Sequence, residues 1–533
     1  MTPEKIVDRY GALHSARGQW DEHWQEVAEY IFPRRADFNV QNTSGNKRMS
    51  KVVDSTGVQG LELLAAGLHG MATNPASRWF SVKTGDAELD EQDEIREYLS
   101  DVEDSMFAKM HSPSSSITTH LHELYLDYAA FGTGIMFIGE GKAGNLLFQT
   151  RFLGECVIDE NAEGVVDTLI RSFTMTVRQC VQMWGDDCST DIKDKLRQGK
   201  HDEKIELLHA VFPREERDAG KDTPDNLPVA SIYLEKKDKH VLKEGGFHEF
   251  PFAVPRWYKV AGEKYGRSPA MTALPDVKML QEMMRTTIKA AQKIVDPPLM
   301  VPDDGMVGPV RTVPGGLNFY RGDREIVPLV TNGNIPISLE MMQDLRNRIL
   351  QIFFVDQLQF SGSANMTATE VIQRTEERMR LLGPILGRME SELLGPIIAR
   401  VFGIMARNGD LKEQPPELDG IDFTVEYVSP IALAQRGQKV ERAVQMLTIA
   451  GQLAGFDPNI MSRFDGENFL PWISRELGVD PDIILDDTEY AAKQQASQMA
   501  SMAGPADMAA GAFAKAGQGA KAFAEAQQVA NAQ

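Results

Sequence analysis

The spacing of apolar residues divides the chain into stretches of helical and of extended period. Residues 4–32 read as two helices, with Trp20, Trp24, Val27 and Ile31 in helical register and Pro33 ending the run. A capped helix is predicted from Asp54 through LELLAAGLHGMA, where small residues on several sides permit close packing, up to the break at Asn74-Pro75. Two further helices are predicted over 91–110 and 117–131. The period then falls to two. IMFIGEG, NLLFQTR, ECVIDE, VVDTLIRSFTM, ELLHAVFPR, VASIYLEKK and HVLKEGGF are short runs rich in β-branched and aromatic residues, separated by Gly, Asn and Asp turns. Strands joined this closely form antiparallel sheets, so the first half is predicted to be α+β and not a succession of βαβ units.

Helical period returns in LPDVKMLQEMMRTTIKAAQKIVDPPLMVP, residues 274–302. Val277, Leu280, Met284, Ile288, Ala291 and Val295 form one stripe at about 100° per residue, which predicts a buried face. Lys278, Arg285, Lys289 and Lys293 form a second stripe, with Glu282 among them, over about 22 Å of helix. Such a stripe is ordinarily a solvated face; the sharper reading is a face aimed at something negative. Pro297 and Pro298 stop the helix in an extended direction. Residues 295–338 are dense in Pro and Gly around LMVP, LNFY and IVPLV, which predicts a small β module. A second helix follows over 339–356, with Met342, Leu345, Ile349 and Ile352 on one face. If the two helices pack side by side, the β module is a knob on a two-rod stalk.

The polar loop LQFSGSANM then leads into a capping box at Thr367-Ala-Thr-Glu370 and a long helix. LLGPI occurs in it twice, at 381–385 and 393–397, and each Pro removes a backbone hydrogen bond, so two bends are predicted. One strand-like run, FTVEYV, precedes helices over 432–477, and residues 491–533 are a low-complexity tail.

Composition narrows the function classes. The chain of 533 residues is 42% hydrophobic, ample for several cores, and carries 56 Lys and Arg against 77 Asp and Glu, a formal net charge of −21. Tight overall wrapping of nucleic acid needs the opposite balance, although local contact through a few confined cations remains open. Cys156, Cys180 and Cys188 are odd in number and lack CxxC spacing, which argues against a disulfide framework or a zinc site and for a reducing compartment. The start MTPEKIVDRYGAL lacks a signal-peptide pattern, and no stretch approaches 18 uninterrupted apolar residues, so a protein made in the cytoplasm and without membrane contact is expected.

Catalytic patterns are weak. No GxxxxGK[ST] phosphate loop occurs, and the glycines of FGTGIMFIGEG precede a strand instead of opening a helix. His120, His122 and Glu123 lack a spaced third ligand, Ser361-Gly-Ser363 lacks the strand-turn-helix setting of a nucleophile elbow, and Asp303-Asp304 and Asp486-Asp487 sit in turns. The expectation is a protein that is not an enzyme and uses no metal or cofactor.

Several blocks together resemble one family, the portal or head-to-tail connector proteins of short-tailed, T7-like bacteriophages. They are Trp20 and Trp24 with Tyr30-Ile-Phe-Pro33, DSTGVQGLELLAAGLHG through NPASRWF, GEKYGRSPAMTALPDVKMLQEM, DPPLMVP, TATEVIQRTEERMRLLGP and YVSPIALAQR, in the family's order over roughly residues 5–490. The resemblance implies a homo-oligomeric ring, usually a dodecamer, at one capsid vertex of the virion. Double-stranded DNA would pass along its axis in packaging and ejection. Further partners implied are the terminase large subunit, tail or adaptor proteins, and the major capsid and scaffold proteins. By similarity, residues 1–267 look like an α+β wing, 268–295 and 339–356 like stem helices, and 296–338 like a clip whose Arg311, Arg321 and Arg324 would face partners. Residues 357–428 look like a tunnel loop bearing Gln359, Ser361, Ser363 and Asn365, a long kinked helix and a strand returning to the wing, and 429–490 like a helical crown. The resemblance implies that Val277, Leu280, Met284, Ile288 and Ala291 pack the stem on its neighbours, while Lys278, Arg285, Lys289 and Lys293 face either the channel or an acidic neighbour. A capsid scaffold or tail adaptor without an axial channel is the principal alternative, and an α+β hydrolase, lacking a convergent site, a weaker one.

Overall fold

The computed structural model describes residues 1–296 except 41, 42, 44, 91, 142, 143, 219 and 222, together with 299–300, 327–328, 335–358, 383–418, 420, 423–427, 430–453, 469, 472 and 473. Two compact units divide the chain, Met1–Ile431 and Ala432–Gln533. The first holds every sheet among the described residues. The described part of the second is chiefly the helix Pro430–Leu453, on which Val440 and Ala450 are buried while Val444, Met446 and Ile449 are exposed.

Alternation of buried residues explains the central sheet. Its five antiparallel strands, Cys156–Glu160, Val166–Thr176, Lys204–Pro213, Val229–Glu235 and Val241–Phe247, stand in sequence order. Cross-strand partners Val157, Ile170, Ala210 and Ile232 share one face and pack with Ile6 of the helix Pro3–Ala16. The next row, Ile158, Leu169 and Val211, faces the opposite way into the main core. A smaller three-stranded sheet orders Leu146–Thr150, Met136–Glu140 and Phe252–Ala253. All seven predicted runs are strands, and every strand pair among the described residues is antiparallel. FTVEYV supplies Thr424–Tyr427, which pairs with Phe80–Lys83, a strand that sequence reading left undetected.

The helix Thr56–Ala72 is the hub of the main core. Asp54, two residues before its start, accepts from the Thr56 backbone N at 2.9 Å and from Thr56 Oγ1 at 2.5 Å. Its small residues do what small residues allow. A Cβ on Gly57 would stand 3.1 Å from Val277, one on Gly60 2.7 Å from the Phe353 ring, and one on Gly67 2.8 Å from Leu358. Two other helices, through Val277 and Leu358, and the turn residue Phe353 therefore approach its backbone at ring and methyl contact. Cys156, Cys180 and Cys188 are free and buried, and burial pushes the Cys156 thiol up to about 12. Among the described residues no helix is long and apolar enough to cross a membrane.

Candidate functional site

The long helix with two stripes runs Pro269–Val295, about 40 Å at 1.5 Å per residue. It begins earlier than residue 274 because Ser268 Oγ caps the Met271 backbone N at 3.0 Å and Pro269 suits the first turn. Pro275 lies inside it and costs one backbone hydrogen bond. Burial of Ala273, Leu274, Val277 and Leu280 in the main core keeps the helix continuous across that gap.

A second helix, Ile335–Ile352, packs along the first. Arg348 Nε donates to Asp276 Oδ2 at 2.9 Å, joining an early turn of one helix to the last turn of the other, as antiparallel packing requires. The connection between their far ends carries the antiparallel pair Leu299–Met300 with Val327–Pro328. The remainder of the predicted β module, with Arg311, Arg321 and Arg324, lies outside the described residues, as do Gln359, Ser361, Ser363, Asn365 and the capping box at 367–370. The second helix differs from the sequence expectation at both ends. It starts at Ile335 and stops at Ile352, because wholly buried Phe353 docks at Gly60 and Phe354 takes a left-handed backbone (φ 56°) before the short helix Val355–Leu358.

Buried polar contacts bolt the base of this pair into the chain. Gln281, 1% exposed, accepts from the backbone N of Val53 at 2.7 Å and of Asp54 at 2.8 Å and donates to the Asp54 carbonyl at 2.7 Å. Arg346 pairs with Asp54 at 2.9 Å. Burial alone would raise the Asp54 carboxyl, but the hydrogen bonds from Thr56 and Arg346 outweigh it and hold the group below its ordinary value.

This anchoring divides both stripes. Of the apolar set, Val277 and Leu280 belong to the chain's own core, Met284 and Ala291 are half-buried, and Ile288 is 42% exposed. Of the basic set, Lys278 pairs with Glu26 and lies 5.9 Å over the Tyr30 ring, while Arg285 donates to the Lys51 carbonyl at 2.6 Å. The base of the stripe thus holds the molecule together. Lys289 and Lys293 are exposed and have no ion-pair partner among the described residues. Two like charges at this spacing repel by a few tenths of a kcal/mol, roughly, when nothing negative faces them. The far third of the helix is therefore cationic on one side, at Lys289 and Lys293, and apolar on another, where exposed Val295 follows Ile288 two turns on.

The helix that carries the second LLGPI packs on the helix Asp93–Met110 and on the strands Met136–Glu140, Phe252–Ala253 and Thr424–Tyr427. Residues 383–389 are α-helical, Glu390–Leu394 is a π-helix, and Gly395–Asn408 is α-helical again. At the second repeat the residues leading into Pro396 have π geometry, which the expectation of a bend did not foresee; residues 381–382 of the first repeat lie outside the described set. Elsewhere, the His120 ring stands 3.4 Å from the Glu123 carboxylate, and the His122 ring 6.3 Å from that of His69. Asp191, Glu235 and Asp238 gather carboxylates within 4.8 Å, but Lys195 pairs with Asp191 at 2.8 Å and Ser189 donates to Glu235 at 2.7 Å.

Known proteins are similar in sequence along almost the whole chain. It is 33% identical to the probable portal protein of Bordetella phage BPP-1 over 93% of this chain and 92% of that protein. It is 32% identical to the portal protein of Salmonella phage epsilon15 over 94% and 93%. With the portal protein of Escherichia phage T7 it shares 22% identity over 95% and 93%. The pattern of the family described as bacteriophage head to tail connecting protein matches residues 4–485, and the chain belongs to that family.

Proposed function

We propose that this chain is the portal subunit of a bacteriophage virion: a ring, twelve subunits in number, at one capsid vertex, through which double-stranded DNA is packaged and ejected. The observation that carries the reading is the helix pair, Pro269–Val295 with Ile335–Ile352, whose base is bolted to the core by Gln281 and Arg346 and whose far end leaves Ile288, Lys289 and Lys293 outward. Membership of the head-to-tail family supports it along nearly all of the chain.

On this reading the helix pair is the stem. Ile288 packs on the neighbouring stem, and Lys289 and Lys293 face the channel. Residues 296–338 are the clip, where Arg311, Arg321 and Arg324 meet the terminase large subunit during packaging and tail or adaptor proteins afterwards. Residues 357–367 are the tunnel loop, 1–267 the wing, and 429–490 the crown, with the major capsid and scaffold proteins as further contacts. The role is structural and not catalytic, with no cofactor. Net charge suits such a conduit: a ring of subunits each at −21 repels phosphate overall, and a few confined cations lower the barrier without holding DNA in register.

Electron microscopy of the purified protein, alone and co-expressed with scaffold, tests the reading. Rings with a central hole of roughly 20 Å or more, wide enough for a duplex whose major groove alone is about 12 Å across, are the expected result. Closed particles without a hole, or no rings under either condition, would replace it with a scaffold or adaptor role.

A further inference from the structure

The helix over 383–408 contains one residue more than an α-helix can carry on its buried face. Buried apolar positions fall at Ile385 and Leu386, Met389, Leu393 and Leu394, Ile397 and Ile398, Val401, and Ile404 with Met405, and Arg400 is buried beside them. From the first pair to the last is 19 positions, whereas five α-helical turns take about 18. The π-helix Glu390–Leu394 absorbs the surplus, since its hydrogen bonds span five residues, as in Gly395 N to the Glu390 carbonyl. Gly395 suits the site: a Cβ there would stand 3.2 Å from that carbonyl. Pro396 next to it brings no N–H to restore α pairing.

The π turn presents Glu392 to Arg256. The Arg256 backbone N donates to Glu392 Oε2 at 2.8 Å, its Nε to the same oxygen at 3.2 Å, and its Nη2 to Oε1 at 2.6 Å. Arg388 adds a fourth donor at 3.3 Å. The Arg256 guanidinium, in a residue 2% exposed, also pairs with Glu160 of the central sheet at 2.7 Å and donates to the Gly164 carbonyl at 2.8 Å. Burial alone would lower its pKa, but Glu392 and Glu160 hold it above the ordinary arginine value. One buried cation therefore joins the sheet to the turn that stores the extra residue.

We propose that Arg256 and Glu392 are a positioning pair, which holds the surplus residue at 390–394 and so fixes the rotational register in which residues 383–389 are presented. Moving the surplus residue past that segment turns it by about 100° and shifts it by about 1.5 Å. This rests on the preceding reading for its consequence, because the chain leading into 383–389 includes the tunnel loop.

Hydrogen exchange of the full chain, with electron microscopy and a DNA-packaging assay on the same preparations, tests it. Glu392→Gln is expected to speed amide exchange at 383–394 by about tenfold or more, the fold-change expected when a charge-assisted hydrogen bond is lost, while the central sheet keeps its protection. Arg256→Lys keeps the charge beside Glu160 but loses the planar fork, and should act in the same direction. Deleting exposed Ser391 from the Glu392→Gln chain removes the surplus residue, leaves the buried pairs at α spacing, and should restore protection. Exchange unchanged in both substitutions, or no rescue by the deletion, overturns the proposal. Its functional arm expects intact rings with reduced packaging. Absence of rings in the unsubstituted protein, alone and co-expressed with scaffold, would refute the portal reading and leave the exchange result standing by itself.

Discussion

Ile288→Asp separates assembly from folding, because Ile288 is 42% exposed in the single chain while Val277, on the same stripe, is wholly buried. Fully burying an isoleucine contributes about 1.5–3 kcal/mol, so covering the remaining two fifths of Ile288 against a neighbouring stem contributes about 1 kcal/mol per subunit. Aspartate loses that and adds a carboxylate whose desolvation costs several kcal/mol, roughly, unless it is paired. Arg285, one turn earlier, offsets part of this, yet it is already committed to the Lys51 carbonyl. The cost recurs at every interface of a ring, so a small penalty per subunit suppresses closure strongly. In contrast, the chain itself loses only the part of Ile288 already covered, about 1–2 kcal/mol, and should still fold. Val277→Asp buries a charge against Gly57 within the chain's own core and should abolish folding. The assay is thermal melting by circular dichroism alongside ring yield by sedimentation and negative-stain microscopy at matched concentration. Rings of normal yield from Ile288→Asp would show that this face does not pack on a neighbour.

Lys289→Glu with Lys293→Glu should leave rings intact and slow DNA packaging or retention, since these are the stripe's exposed lysines without an ion-pair partner among the described residues; unchanged packaging would return them to a solvated face. Asp127 gives a pH prediction. Burial pushes its carboxyl up to about 7 against the opposing Arg35 guanidinium, from an ordinary 3.8. Between those values the folded chain holds a proton that the unfolded chain does not, so this stabilising contribution is full below pH 4 and is lost as pH rises through 7. The loss is on the order of 4 kcal/mol at most. Asp127→Asn should therefore raise the melting temperature relative to wild type more at pH 8 than at pH 5; an equal difference at both would contradict the assignment. Gly60→Val drives a side chain into Phe353, whose ring would stand 2.7 Å from the new Cβ, and should cost about 1–3 kcal/mol in urea melts.

Much of the secondary structure was legible because local pattern dominates there. The seven runs are short and rich in β-branched and aromatic residues, their turns carry Gly, Asn and Asp, and the strands of the five-stranded sheet stand in sequence order. Phe80–Lys83 escaped notice because its partner, Thr424–Tyr427, lies some 340 positions away along the chain, and no local pattern encodes such a pairing. The connector family was legible from blocks of sequence spread over the chain, a signal independent of any single element.

The site was legible as a pattern and not as an arrangement. The sequence by itself determined that residues 277–295 carry an apolar stripe and a basic stripe, since a helix places residues three and four apart on one face whatever surrounds it. Only the tertiary structure decided that Glu26, Tyr30 and the Lys51 carbonyl take up Lys278 and Arg285 and leave Lys289 and Lys293 outward. It decided likewise that Leu-Leu-Gly-Pro-Ile at 393–397 is met by a π turn clamped on Arg256. The reason is the same in both places: a helix's period is a property of its own backbone, whereas the partner of each charged side chain is supplied by residues remote in sequence, and desolvation makes those partners decisive.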